Sequence, residues 1–495
     1  MQILGYDLGS SSIKASIMDA ETGNCVASAY YPRDEMPILA YNQGWAEQDP
    51  ELWWEMVIMA TKELLHNPAV EKDRISAIGI SYQMHGLVIV DKQYKPLRHS
   101  IIWCDSRAVG TGEKAFESIG RNKCLSSLLN SPGNFTASKL AWVKENEPGL
   151  YDKIYKAMLP GDYLAMKLTG EILTTPSGLS EGVFWDFEKN DISSVVLEYF
   201  GFDPSIIPDV VPVFSLQGRI TQAAAKELGL RKGVPVTYRA GDQPNNAFSL
   251  NVINPGEIAA TAGTSGVVYG VSDKVMYDPQ SRVNTFAHVN HGEAGNRLGV
   301  LLCVNGTGIL NSWVKRTVAS GAGYSEMNRM AESVPAGSDG VTILPFGNGS
   351  ERMLGNLDIG CHIANLSFNI HSGAHLMRAA QEGIVFAFKY GMDIMMQTGI
   401  NPRVIRAGHS NMFLSQVFGK SLATLTGATI ELCNTDGSQG AARAAAIGAG
   451  IYKSFGEAFE GLTVTDTIMP DKGLLPVLEK SYTAWLELLQ SHMAT

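Results

Sequence analysis

Apolar residues crowd the opening stretch "QILGYDL", and a polar break of one glycine and three serines follows. Apolar character then returns with a period of two in "IKASIMDA" and again in "CVASAYYP", with "ETGN" as a turn between them. Alternation of this kind, bounded by turn residues, predicts three strands in an antiparallel meander. The period changes at "DPELWWEMVIMATKELLHN". There Leu52, Met56, Met59, Ala60 and Leu64 recur at helical spacing, Asp49 suits the N-cap and Pro50 the first helical position. An amphipathic helix is predicted. "ISAIGISY" and "GLVIVD" read as strands again. Strands, a helix and further strands predict an α/β layered domain.

Later periodicities are mixed. "ASKLAWVKENEP" and "PGDYLAMKL" read as short helices, "GVPVTYRAGDQ" as a strand, and "NNAFSLNV" as a helix just beyond it. "GEIAATAGTSGVVYGVS" reads as strand, tight turn, strand. "AHLMRAAQEGIVFAFKYGMDIMMQTG" predicts a long helix, and "RVIRAGHSN" a strand entering a loop. "GSQGAARAAAIGAGIYKSF" predicts a helix of small residues whose backbone can pack close to a neighbour. "DLGSSSIKASIMD" and "TAGTSGVVYGVSD" share one design: a strand, a glycine, small hydroxyl residues, then an alternating strand. The second lies about half a chain after the first, the spacing of an internal duplication or of two unrelated hairpins.

Composition narrows the class. With 495 residues and 45% apolar character, two or three domains are expected. A net charge of -10 disfavours binding to a phosphate backbone, so no nucleic-acid partner is expected. The six cysteines show no CxxC spacing and are expected to be buried, reduced thiols. The start of the chain reads as a strand, and runs such as "GLVIV" are too short to span a bilayer. A cytoplasmic protein without a membrane partner is the expectation.

Several segments can carry chemistry. Gly9, Ser10, Ser11 and Ser12 form a turn whose N–H groups and hydroxyls can hold a phosphate, and Gly263, Thr264 and Ser265 form a second. Lys14 can offset phosphate charge, and Asp7, at a strand end, can hold a hydrated Mg2+. The same stretches also suit plain β-turns. The usual phosphate loop is absent, because Leu414 stands where GxxxxGK(S/T) needs its first glycine ahead of "FGKS". Asp242 in "RAGDQPNN" ends an apolar strand before a helix, where it can serve as a helix cap or take a proton from an attacking hydroxyl. "SYQMHGLVIVD" sets Gln83, Met84 and His85 between two strands, and "IIWCDSRAVG" sets Trp103, Asp105 and Arg107 after a third. A tryptophan beside an acid and an arginine suits a polyhydroxylated ligand, and equally a core ring beside a salt bridge.

Taken in order, "GYDLGSSSIK", "GWAEQDPELWW", "SYQMHGL", "IIWCDSR", "PGDYLAMKLTGE", "AGDQ", "TAGTSG", "ERMLGN", "RAAQEGIVFAF", "RAGHSN" and "GAARAAAIGAG" resemble the FGGY carbohydrate kinases over nearly the whole chain. The resemblance implies two actin-like (ribonuclease H-like) ATPase domains of the α/β class with an interdomain cleft, here residues 1–243 and 244–495. It implies ATP and Mg2+ as co-substrate and metal, with Asp7 near the metal and Asp242 as catalytic base. Met84, His85, Trp103, Asp105 and Gln243 are then expected at the sugar, and Gly408, Ser410 and Asn411 of "RAGHSN" at the adenosine. The acceptor implied by "QMHG" is D-xylulose, with ribulose, glycerol or another polyol as alternatives; a non-kinase actin-like ATPase or sugar sensor is a further one. A homodimer is possible on the same resemblance. The chain departs from the family's pattern at Arg406, Ala407 and His409, at Phe413 and Ser415, and at Gln243, where the family often has Asn.

Overall fold

The computed structural model describes residues 1–293 and 295–494. The chain forms two compact units. The first comprises Met1–Asn251, Phe286–Leu298 and Thr435–Leu462, and the second Val252–Thr285, Gly299–Asn434 and Thr463–Thr495. A single division after residue 243 therefore does not describe the chain. Residues 244–251 continue the first unit, and two later segments return to it, because its sheet needs a cover that only the later chain supplies.

That sheet contains β1 (Gln2–Leu8), β2 (Ile13–Asp19), β3 (Cys25–Tyr31), β4 (Ile75–Tyr82) and β5 (Val236–Gly241), in spatial order β5-β4-β1-β2-β3. The meander β1-β2-β3 is antiparallel, with Leu8 opposite Ile13, as the alternation predicts. β4 and β5 add in parallel, so the ends of β1, β4 and β5 emerge at one edge. Helix α1 (Pro50–Leu65) packs on β2 and β3, with the Asp49 carboxylate accepting from the Glu51 N–H and Pro50 opening the first turn. Its buried face is Trp53, Trp54, Met56, Val57, Ala60, Thr61 and Leu64. Met59, expected on that face, is exposed; the two tryptophans supply the apolar bulk and rotate the stripe.

On the first unit lie also α2 (Thr136–Asn146), α3 (Pro160–Thr169), α4 (Pro176–Glu181) and α5 (Asp242–Ser249). The helix α5 begins three residues before the predicted "NNAFSLNV", directly at Asp242. The second unit has strands β6 (Glu257–Ala262), β7 (Gly266–Ser272), β8 (Leu298–Val304), β9 (Val404–Gly408), β10 (Thr429–Cys433) and β11 (Val464–Ile468), lying side by side as β8-β7-β6-β9-β10-β11. Its helices include α6 (Gly308–Thr317), α7 (Tyr324–Glu332) and the long α8 (Gly373–Gln397), which is buried along most of its length.

The small-residue helix α9 (Gly437–Gly448) belongs to the first unit and lies across β1 and β4. Its approach is as close as its composition suggests. A Cβ on Gly5 would stand 1.9 Å from the Ser438 carbonyl oxygen, and one on Gly79 would stand 2.0 Å from that of Ala441. Two glycines on adjacent strands thus let a helix backbone rest directly on a sheet. The cysteines form no disulfide among the described residues, and the expectation that they are buried holds only for Cys124 and Cys433; Cys25, Cys104, Cys303 and Cys361 are exposed. Among the described residues no helix is long and apolar enough to cross a membrane.

Candidate active site

In the first unit, the strand ends gather an acidic group. Asp7 lies near the end of β1, and its Oδ1 accepts from the Ser81 hydroxyl at 2.6 Å. Asp436 caps α9, and Lys14 on β2 reaches it at 2.8 Å. Lys14, expected to face a phosphate, is in this state paired with a carboxylate. A Cβ on Gly437 would fall 2.3 Å from Asp7 Oδ2, so the absence of a side chain there leaves the carboxylate its place at the start of α9. Asp242 opens α5 directly after β5. Burial pushes its pKa up to about 7, with the negative charge of Asp7 adding to the rise and the N–H groups of Gln243 opposing it. Burial also raises Asp7, with Asp436 contributing. Burial works against the charge on Asp436 too, but Lys14, Ser438 and Gln439 overcome it and hold that carboxyl below the usual range. A carboxylic acid poised near neutrality can be a proton acceptor at working pH.

The turn Gly9–Ser12 closes with Gly9 N–H donating to the Ser12 carbonyl at 3.0 Å. Gln48 and Met36 donate to the carbonyls of Ser10 and Ser11, fixing the loop from behind.

The residues expected around a sugar lie on the same unit. Met84 is buried beside Gly241, where a Cβ would meet its Cγ at 2.6 Å. His85 has φ +62°, in the left-handed region. Its Nδ1 lies 2.9 Å from the Glu181 carbonyl oxygen, so Nδ1 carries the proton in that bond, and its ring packs against Phe135 and Phe286 at 4.7 and 5.4 Å. Trp103 is 52% exposed and free to stack on a ligand. Asp105 is fully buried; its oxygens accept from the Arg107 side chain and the Ala46 N–H. Arg107 in turn stacks over Trp45 at 3.8 Å. Asp105 thus fixes the loop that carries Trp103. Two groups here have no sequence motif to announce them. Glu181 is buried on α4, and its carboxyl is raised well above the usual range by burial, with the Tyr82 hydroxyl opposing and Asp242 reinforcing the rise. Lys139 on α2 is also fully buried. An acid in "GLSEG" and a lysine in "ASKLAW" are the only hints, and both sit among small or apolar neighbours.

The second unit holds a cavity of about 820 Å³, lined among others by Gly263, Thr264, Gly308, Asn311, Tyr324, Arg329 and Asn411. The hairpin β6-β7 pairs Ala262 with Gly266, leaving Gly263, Thr264 and Ser265 as its turn. Helix α6 docks on that turn through Gly308 N–H to the Gly263 carbonyl at 2.9 Å and Ile309 N–H to that of Thr264 at 3.0 Å. A Cβ on Gly308 would lie 2.3 Å from the Gly263 oxygen, so only glycine permits the contact. The cavity unites Gly263, Thr264 and Asn411 of the expected residues. Ser265, Gly408 and Ser410 are not in its lining; Gly408 ends β9, and Ser410 donates its N–H back to Gly408 at 2.8 Å. The α7 residues Tyr324, Asn328 and Arg329 complete the wall and had no counterpart among the sequence motifs. A glycine-rich turn, two arginines (Arg316 and Arg329) and an exposed tyrosine ring suit an anionic ligand with a planar part.

A two-unit chain with a poised aspartate at a strand end and a glycine-turn cavity matches one group of phosphotransferases. Residues 2–249 match the N-terminal domain of the FGGY family of carbohydrate kinases, and residues 258–449 match its C-terminal domain. The chain belongs to the FGGY family of carbohydrate kinases and has its two-domain, actin-like α/β fold. Among its relatives, the xylulose kinase of Escherichia coli (strain K12) is 28% identical over 475 residues, which cover 94% of each chain. The xylulose kinase of Lactococcus lactis subsp. lactis (strain IL1403) is 31% identical over 402 residues, 80% of this chain and 77% of the relative. The crystal structure of xylulose kinase from Rhodospirillum rubrum superposes with a TM-score of 0.89 at 25% identity, covering 99% of both chains.

Proposed function

We propose that this chain transfers the γ-phosphoryl group of ATP to the 5-hydroxyl of D-xylulose. The observation that carries the reading is Asp242, a half-buried carboxyl whose pKa is pushed up to about 7, directly after β5 on the unit that also bears Met84 and His85. Those two residues lie in the "QMHG" stretch, and the curated relatives of similar length are named xylulose kinases. The Asp242 carboxylate accepts the proton of the sugar hydroxyl as its oxygen bonds to the γ-phosphorus. The bond from that phosphorus to the β–γ bridging oxygen breaks, and ADP leaves with the electron pair. Such a transition state is loose and spreads its charge over the transferred oxygens, so placement and neutralisation matter more than base strength. The turn at Gly263–Ser265 and the two arginines of the cavity supply donors and positive charge for the nucleotide.

The acidic group fits a divalent cation. Burial raises Asp7 and Asp242, with the charge of Asp436 adding to the first rise and that of Asp7 to the second, a strain that a cation relieves. Mg2+ keeps most of its own water and can be held by a single acid. Asp7 is the residue that would hold it, and the ion would supply charge neutralisation to the phosphates.

The test is ADP formation with ATP and Mg2+ against D-xylulose, ribulose and glycerol. Turnover that depends on D-xylulose and exceeds that with the other two is expected. Absence of xylulose-dependent ADP overturns the assignment, and preference for another acceptor moves it to that sugar.

A further inference from the structure

The first turn of α2 lies against the turn that carries Met84 and His85. Thr136 Oγ1 donates to the Gly86 carbonyl at 3.2 Å, and Lys139 Nζ donates to the His85 carbonyl at 2.7 Å. On the other side, Ala137 N–H donates to the Gly182 carbonyl at 3.0 Å, beside the Glu181 carbonyl that holds the His85 ring. His85 adopts a left-handed backbone that a residue with a side chain avoids unless its surroundings impose it. Lys139 is fully buried, and among the described residues no carboxylate forms an ion pair with it. A buried ammonium without a carboxylate is a costly way to fill space that methionine would fill as well. The hydrogen bond that its ammonium donates goes to His85, the residue with the left-handed backbone.

We propose that Lys139 is a positioning residue for the sugar acceptor: its ammonium grips the His85 carbonyl, holds the turn left-handed, and so aims the Met84 and His85 side chains. The role rests on the reading of that turn as the acceptor site. Burial, against the pull of Asp105, Cys104 and Glu181, brings the Lys139 pKa down to about 7. Phe135, which leads into α2, packs edge-on against the His85 ring and completes the clamp.

Lys139→Met tests this with two readouts. Loss of a charged hydrogen bond should raise the KM for D-xylulose about 10- to 100-fold, while the KM for ATP stays within about twofold. Hydrogen exchange at the amides of residues 83–87 should quicken about 10-fold or more, with β1 and β4 as protected as in the parent. Equal losses for both substrates, or unchanged exchange in that turn, overturn the proposal. If the methionine variant loses protection throughout the sheet, Lys139→Gln, which keeps an N–H donor on a shorter chain, is read by the same two criteria. The exchange measurement needs no substrate. A parent enzyme that ignores every sugar therefore defeats the acceptor reading, whereas an unmoved turn in the variant defeats the role of Lys139.

Discussion

The proposed base, Asp242, is a carboxyl whose pKa is pushed up to about 7, through burial first and the charge of Asp7 second. The sign follows directly. Only the ionised form accepts a proton, so kcat/KM should fall about tenfold per pH unit below neutrality and level off above it. Asp242→Asn should lower kcat by about 100- to 10,000-fold and abolish that acid limb. A pH–rate profile of the parent that is flat from about pH 5.5 to about pH 8 would remove Asp242 from the role of base. The position of Asp242 was legible because an apolar strand ending in "AGD" sets an acid at a sheet edge. Its pKa was not, because Asp7 lies far away in the chain and only the parallel pairing of β1, β4 and β5 brings the two strand ends to one edge. Glu181 and Lys139 escaped for the same reason: burial of a charged side chain is decided by elements distant in sequence.

Local periodicity did better with elements than with their contacts. The meander, α1, the hairpin β6-β7, the long α8 and the small-residue α9 all stand where alternation or helical spacing places them. Asp49 and Pro50 marked the start of α1 because capping is a local interaction. Membership was harder. α7 carries no motif, yet lines the cavity with Tyr324, Asn328 and Arg329, because a wall is defined by what it faces. The packing of α9 gives a sharp test. Gly79→Ala would press a methyl to 2.0 Å from the Ala441 carbonyl oxygen and should cost about 1–3 kcal/mol by overpacking, read as a lowered Tm. Gly110→Ala, in the helix Val109–Ile119 with nothing within 4 Å of the new methyl, should be neutral or stabilise by up to about 1 kcal/mol. Equal thermal shifts in the two variants would deny that close helix–sheet contact its importance.

At the level of the whole molecule, the first unit is discontinuous. A polypeptide of residues 1–251 lacks α9 and leaves Gly5 and Gly79 on an uncovered sheet face. It should fail to unfold cooperatively, whereas the same polypeptide joined through a flexible linker to residues 435–462 should regain a cooperative denaturant transition. Indistinguishable transitions in the two polypeptides would mean that the sheet stands without its helix. The two hairpins that share one sequence design lie one in each unit, β1-β2 and β6-β7, each closing on a glycine-led turn, an arrangement open to a duplication and to two unrelated hairpins alike.

The late return of residues 435–462 also sets an order of events during synthesis. A ribosome adding about 5–20 residues per second makes the strands of the first sheet long before their covering helix. Until that helix emerges, a sheet face with its glycines Gly5 and Gly79 bare is open to any neighbouring nascent chain. A chaperone bound during that interval would therefore protect the earliest-made part of the enzyme, slow codons ahead of α9 would lengthen the exposure, and a premature stop before α9 would leave the face uncovered.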